Sequence, residues 1–179
     1  AWSGKIPFVS SFSAFVVNKG FEQLRVNVAY TNSNVKVVGT HSGISIGEDG
    51  PSQMSLEDLS LMCSLPGFVV ISPADEVAMT ALVKQSAAHV GPVFLRAGRV
   101  KVPVIYDKDQ VFEIGKAITL IEGSDVTLMS HGLMVAEAIK AAEVLEAECI
   151  SARVVDMHTI RPLDRDAIAK AASETKAIV

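Results

Sequence analysis

The apolar positions of this chain change period repeatedly along its length. Short runs that are apolar and rich in β-branched residues, at Ile6–Val9, Val35–Val38, Phe68–Ile71 and Pro92–Leu95, read as strands covered on both faces. Between them the spacing lengthens to the helical period. One helix is predicted over Ala14 to Val28, a second on the face Leu56, Leu59 and Cys63, and a third on Met79, Leu82 and Val83. Ser55-Leu56-Glu57-Asp58 has the form of a capping box before the second helix, and Asp75 is placed to cap the third. Strand and helix thus alternate up to Leu95, the pattern of a parallel sheet with helices on its faces.

The rhythm breaks between Val100 and Gly115, where Pro103, Tyr106 and the charged Asp107-Lys108-Asp109 predict an extended linker. A second unit follows, with strands Ala117–Ile121, Val126–Ser130, Ala152–Asp156 and Ala177–Val179 and helices Leu133–Ala147 and Asp164–Ser173. The face Val135, Ala138, Ile139, Ala142 and Leu145 fits a 3.6-residue period. The fold class expected is therefore α/β: two three-layer α/β units with mainly parallel sheets, at residues 1–99 and 116–179, joined by a linker at 100–115. The chain begins at Ala1 without Met and stops on the apolar Ile178-Val179, within a predicted strand. Both units are expected to be incomplete, and the chain to be a piece of something longer.

Composition narrows the function classes. Sixteen Lys and Arg against twenty Asp and Glu give a net charge of −4 with no basic cluster, which argues against nucleic acid as a partner. No apolar run approaches the roughly 20 residues that span a bilayer, so no membrane role is expected. No basic segment leads into an apolar one, so no secretory signal is expected either. Cys63 and Cys149 are isolated and lack CxxC spacing. They are expected as small core residues in a reducing, cytoplasmic compartment.

The candidate chemistry gathers in Thr40 to Gln53, directly after a predicted strand, where open parallel sheets bind ligands. Gly43, Gly47, Gly50 and Pro51 suggest a fixed loop, and His41, Glu48, Asp49 and Gln53 offer acid, base and hydrogen-bonding groups. A surface loop rich in turn formers is the plainer alternative. Gly43-Ile44-Ser45-Ile46-Gly47 matches the nucleophile elbow G-x-S-x-G, with Asp156 and His158 following in the right order. The elbow needs a helix straight after the serine, however, and Gly47, Gly50 and Pro51 forbid one. Phe12 and Phe15 are spaced to share a helix face, as an aromatic platform or as core. Arg96 and Arg99 leave the strand Pro92–Leu95 and suit either an anionic ligand or an ion pair. His89, His131 and His158 lack metal spacing. Neither the phosphate loop G-x-x-x-x-G-K-[ST] nor the dinucleotide fingerprint G-x-G-x-x-G is present. Asp49-Gly50 hints at a Gly-Asp-Gly metal motif, but every Asn lies at or before Asn34, ahead of where that motif needs one. No metal site is expected on this chain.

Together these segments resemble transketolase. The resemblance runs through Gly4-Lys5-Ile6-Pro7-Phe8-Val9-Ser10-Ser11-Phe12-Ser13-Ala14-Phe15, Thr40-His41, Gly47-Glu48-Asp49-Gly50-Pro51-Ser52-Gln53, Glu57-Asp58-Leu59, Ser72-Pro73-Ala74-Asp75, Phe94-Leu95-Arg96-Ala97-Gly98-Arg99 and the stretch Ala152 to Asp164. It covers essentially the whole chain, and the Gly-Glu-Asp-Gly-Pro block with its spaced arginine is the specific part. The resemblance implies an N-terminally incomplete pyrimidine-binding domain and a C-terminally incomplete C-terminal domain, as a piece of transketolase or as the ordered core of a split-type C-terminal subunit. It also implies transfer of a two-carbon ketol unit between sugar phosphates with thiamine diphosphate, in pentose phosphate metabolism. Carried over by motif, Phe12 and Phe15 would pack the aminopyrimidine ring, and His41 and Arg99 would hold the sugar phosphate. Asp49 would accept a hydrogen bond from a donor-sugar hydroxyl, and Gln53 would lie beside the cofactor and the reacting carbonyl. Many members have His at that last position, which leaves the proton-transfer role of Gln53 open. The family's catalytic glutamate and the domain that grips the diphosphate with Mg (or Ca) precede the matching part. A diphosphate-binding half or subunit is therefore the expected partner, in a homo-oligomer with active sites between two protomers, and the chain alone is expected to be inactive. A 1-deoxyxylulose-5-phosphate synthase-like enzyme shares the acidic block but differs around the arginines. A pyruvate-dehydrogenase-type beta subunit fits the block less well, and a non-catalytic assembly domain is the alternative from another class.

Overall fold

The computed structural model describes residues 1–179. The apolar runs of the first half form four parallel strands, β1 (Phe8–Phe12), β2 (Lys36–Thr40), β3 (Val69–Ile71) and β4 (Val93–Arg96), in the spatial order β1-β2-β4-β3. β3 and β4, with Val69–Ile71 and Val93–Leu95 all buried, take the centre. β1 takes the edge, and Phe8 and Val9 are exposed there instead of covered on both faces as expected. The helical run predicted from Ala14 forms with π-type turns at Ala14–Lys19 and Arg25–Ala29 around a short α1 (Phe21–Leu24). It lays Val17, Leu24, Val28 and Ala29 on Val37, Val70 and Phe94 of the sheet.

α2 spans Asp58–Ser64, but the predicted capping box does not form, because both of its side chains have other partners. Ser55 donates its hydroxyl to the Asn18 side chain, and the Asp58 carboxylate turns inward to Arg96. α3 (Glu76–Ala88) is capped as predicted, with Asp75 Oδ1 accepting from the Ala78 N–H at 2.8 Å.

The second unit contains β5 (Ile118–Ile121), β6 (Val126–Ser130), α4 (Met134–Ala147) and β7 (Ala152–Asp156), and later α5 (Arg165–Glu174) and β9 (Ala177–Ile178). Its sheet runs β5-β7-β6-β9, parallel except for β5, which lies antiparallel to β7. Both sheets are thus mainly parallel, as the alternation predicts. Ile178 and Val179, expected in a buried strand, lie exposed at the sheet edge. Cys149 is likewise exposed, in the turn after α4, not in the core. No helix is long and apolar enough to cross a membrane.

Two features tie the units together. A strand that the pattern does not predict, β8 (Thr159–Arg161), leaves the second unit and joins the first sheet antiparallel to β3. The predicted linker is a pinned strap. Asp75 Oδ2 accepts from the N–H groups of Ile105 (2.8 Å) and Tyr106 (3.0 Å), and the Gln85 side chain bonds Phe112 O and Ile114 N. Tyr106 and Phe112 are buried edge to face, and the Tyr106 hydroxyl donates to Asp156 Oδ2 at 2.7 Å. Asp75 of the first unit therefore reaches Asp156 of the second through one strap residue.

Burial pushes the Asp156 carboxyl up to about 7, opposed by the Tyr106 hydrogen bond and aided by the charge of Asp75. Burial pushes the neighbouring His158 down to about 4. A carboxyl whose folded-state value lies above its unfolded value of about 3.9 favours folding only while protonated, so Asp156 makes stability fall as pH rises from about 4 to about 7. His158, with a folded value below its unfolded value of about 6.5, makes stability rise from about 4 to about 6.5. The slopes oppose. Asp156→Asn removes the falling one, so its unfolding free energy from urea titrations will climb more steeply than the parent's between about pH 4.5 and 6.5. Parallel curves would show that Asp156 does not hold its proton in the folded state.

Candidate active site

The strand register assembles the site. Phe12 lies opposite Thr40 and Gly39 opposite Arg96, so the carboxyl ends of β1, β2 and β4 open onto one edge of the first sheet. Gly39 makes room for Ser13 and the Phe94 ring over β2: a Cβ there would fall 2.2 Å from Ser13 Oγ and 2.7 Å from Phe94 Cε2. Beneath the edge, the buried hydroxyls of Ser13 and Ser42 bond each other at 2.6 Å.

His41 follows β2 in a left-handed conformation, φ 57°, uncommon for a residue other than glycine. Its Nδ1 pairs with Thr40 Oγ1 at 3.0 Å, and its ring stacks on Phe12 with centroids 3.7 Å apart. Phe12 in turn stacks on Phe15 at 5.7 Å, the planes only 10° apart. Phe12 ends a strand instead of opening a helix, yet the two phenyl rings share a face as their spacing predicts. His41, Phe12 and Phe15 form one continuous aromatic surface, and Phe15 is 42% exposed at its outer end.

The loop after His41 is closed at its base by a bridge from Ser42 to Ser55 and by the Gly43 N–H donating to Ser55 O at 2.8 Å. Inside it Ile44–Asp49 coils as a 3₁₀ turn broken at Gly47 (φ 69°), and Gly50 (φ 76°) ends it. These two bends aim the residues between them at Arg99. Asp49 Oδ2 lies 2.8 Å from Arg99 Nε, and Glu48 Oε1 accepts from Arg99 Nη2. The hydrogen bond that Arg99 donates to Glu48, with the charges of both carboxylates, holds the guanidinium further from deprotonation. Gln53 sits in the closing turn, its N–H on Gly50 O and its side-chain amide 3.4 Å from Ser52 Oγ.

The two arginines separate here. Arg96 meets the fully buried Asp58 with Nε–Oδ2 at 2.8 Å and Nη2–Oδ1 at 3.4 Å, a pair that clamps the start of α2 to the end of β4. Arg99 faces the loop. The sequence carries no signal for this choice, because Asp58 reads as part of a cap. The hydrolase constellation does not assemble. Ser45 Oγ is buried without a hydrogen-bond partner, while Asp156 and His158 sit at the junction of the units with Tyr106 and Thr159.

The carboxyl ends of strands in an open parallel sheet are where such sheets receive ligands, and here they carry aromatic and cationic groups. Family models give the class: residues 1–104 match the transketolase pyrimidine-binding domain and residues 115–179 the transketolase C-terminal domain. The chain belongs to the transketolase family. It is 42% identical over 176 residues to the 6-deoxy-6-sulfo-D-fructose transketolase subunit SqwH of Clostridium sp. (strain MSTE9), covering 98% of this chain and 55% of that one. It is 42% identical over 172 residues to the putative transketolase C-terminal section of Methanocaldococcus jannaschii, covering 95% and 54%. A solved structure described as a split gene transketolase, inactive beta4 tetramer, superimposes with a TM-score of 0.92 at 42% identity, over 99% of this chain and 57% of that one. The chain thus spans about half the length of these relatives.

Arg96→Met will leave the Asp58 charge buried and unpaired, costing about 3–5 kcal/mol in urea unfolding. Adding Asp58→Asn will recover part of that loss, because the uncompensated charge goes with it. A cost below about 1 kcal/mol for the single variant would show that the pair does not hold α2.

Proposed function

We propose that this chain supplies the pyrimidine-binding and C-terminal parts, residues 1–99 and 116–179 with the strap 100–115 between them, of a transketolase-type enzyme. The reaction is transfer of a two-carbon ketol unit between sugar phosphates. The observation that carries the reading is the aromatic surface of His41, Phe12 and Phe15, set at the same strand ends as the Arg99 fork. A flat heteroaromatic ring such as an aminopyrimidine fits the open end of that surface, where Phe15 is exposed. Thiamine diphosphate, when bound, supplies the electron sink for breaking and remaking the carbon–carbon bond.

The chain's own residues then bind and orient. Phe12 and Phe15 pack the pyrimidine ring. His41, whose Nδ1 is engaged by Thr40, keeps Nε2 for the substrate. Arg99 has Nη1 free of its carboxylate partners and meets the terminal anion of the sugar. Asp49 accepts from a sugar hydroxyl, and the Gln53 amide donates toward the reacting carbonyl. The diphosphate and its Mg (or Ca) belong to a diphosphate-binding half, and the active site is completed between protomers of a homo-oligomer. The relative named for a sulfosugar supports the class of substrate, a sugar with a terminal anion, more than any one member of it. The two free thiols suit the cytoplasm.

The test is reconstitution with a diphosphate-binding half, thiamine diphosphate and Mg²⁺, following ketol transfer from xylulose 5-phosphate to ribose 5-phosphate. Turnover is expected only with both parts present, and Phe15→Ala will weaken apparent cofactor affinity about tenfold. Turnover by the chain alone contradicts the need for a partner. Pyruvate decarboxylation in place of ketol transfer favours the 1-deoxyxylulose-5-phosphate synthase-like alternative. Full activity with alanine at His41, Asp49 and Arg99 together would leave only an assembly role.

A further inference from the structure

We infer that Glu48 is a positioning residue, an internal anion that competes with the substrate's phosphate for Arg99 and so sets how tightly that phosphate is held and how readily it leaves. The inference rests on the reading above, in which Arg99 meets the terminal anion of the sugar.

The two arginines at the end of β4 have opposite kinds of partner. Arg96 is answered by Asp58, a carboxylate with no exposure, which cannot withdraw into water. Arg99 is divided between two carboxylates on one edge of its guanidinium: Asp49 holds Nε at 2.8 Å, and Glu48 takes Nη2. These two differ in freedom. The Asp49 side chain is 32% exposed, whereas that of Glu48 is 77% exposed. Asp49 therefore fixes the direction of the guanidinium. Glu48 can swing into water at small cost, because exposed ion pairs are weak and a released glutamate regains rotamer freedom.

Charge makes the exchange consequential. With Glu48 in place, one guanidinium faces two carboxylates and the cluster carries a net negative charge. An approaching phosphate meets repulsion and an Nη2 that Glu48 already shares. With Glu48 withdrawn, the cluster is neutral and Nη1 and Nη2 can turn to two phosphate oxygens without a competing carboxylate. Glu48 sits between the bends at Gly47 and Gly50, so its side chain can move while the loop backbone holds Asp49 in place. Glu48 thus weakens phosphate binding and speeds its release, acting through Arg99 and without touching the reacting atoms.

The test uses the complete enzyme, this chain with its diphosphate-binding half, and calorimetric titration with ribose 5-phosphate and with ribose. Glu48→Gln will tighten ribose 5-phosphate about three- to tenfold, lower its KM in step, and leave ribose binding unchanged. The gain will shrink as salt rises. Glu48→Asp, which restores the charge, will return the affinity toward the parent value. Arg99→Gln will weaken ribose 5-phosphate and abolish the effect of Glu48→Gln in the double variant. If Glu48→Gln weakens ribose 5-phosphate, or leaves it unchanged while Arg99→Gln weakens it, the competing role is wrong and the Arg99 assignment stands. If Arg99→Gln has no effect on ribose 5-phosphate, the assignment of Arg99 fails and this inference fails with it. Coincident thermal melts of Glu48→Gln and the parent check that the exposed substitution leaves the fold intact.

Discussion

The candidate site depends on how closely Ser13 and the Phe94 ring pack over β2 at Gly39. Without a side chain there, both close over the face of the strand, while the backbone register brings the carboxyl ends of β1, β2 and β4 level. Phe12, His41 and the arginine segment are then neighbours in space although far apart in sequence. Any side chain at Gly39 meets both the Ser13 hydroxyl and the Phe94 ring well inside contact distance, and Phe94 belongs to the core beneath the sheet. The same close packing that stabilises the first unit therefore shapes the edge that carries the candidate site.

The second unit is fastened to that frame by polar groups with fixed directions as well as by apolar burial. Asp75 caps α3 with one oxygen and grips the strap with the other, so the helix and the strap cannot shift independently. Tyr106 passes the connection to Asp156, and β8 adds backbone pairing between the units. A buried carboxyl with one unpartnered oxygen is costly in isolation. Here it lies where the two units meet, held to the strap by the Tyr106 hydroxyl.

Much of this was legible in the sequence, and what was not has physical reasons. The strands and helices follow from hydrophobic period, and Asp75 from cap chemistry. β8 was hidden because Thr159-Ile160-Arg161 is short, two-thirds polar and followed by Pro162, and it pairs with the edge that β3 offers. The strap read only as an extended linker because its restraints run from backbone N–H groups to side chains distant in sequence. His41, Glu48, Asp49 and Gln53 stood out by type and position, Phe12 and Phe15 by spacing, and Arg96 and Arg99 alike as cations just past a strand. That Arg96 would be committed to Asp58, and that Glu48 would share Arg99, depends on distances that no spacing rule supplies. The stacking of His41 on Phe12 likewise depends on a left-handed backbone at His41 that sequence does not announce.

The central claim is that the aromatic edge of the first sheet completes a cofactor site begun on another polypeptide segment. Calorimetric titration of thiamine diphosphate with Mg²⁺ tests it most directly, run on the diphosphate-binding half with and without this chain. Tight binding, one cofactor per chain, is expected only when both are present, and Phe12→Ala will remove that tightness. Equal affinity and stoichiometry with and without the chain would contradict it.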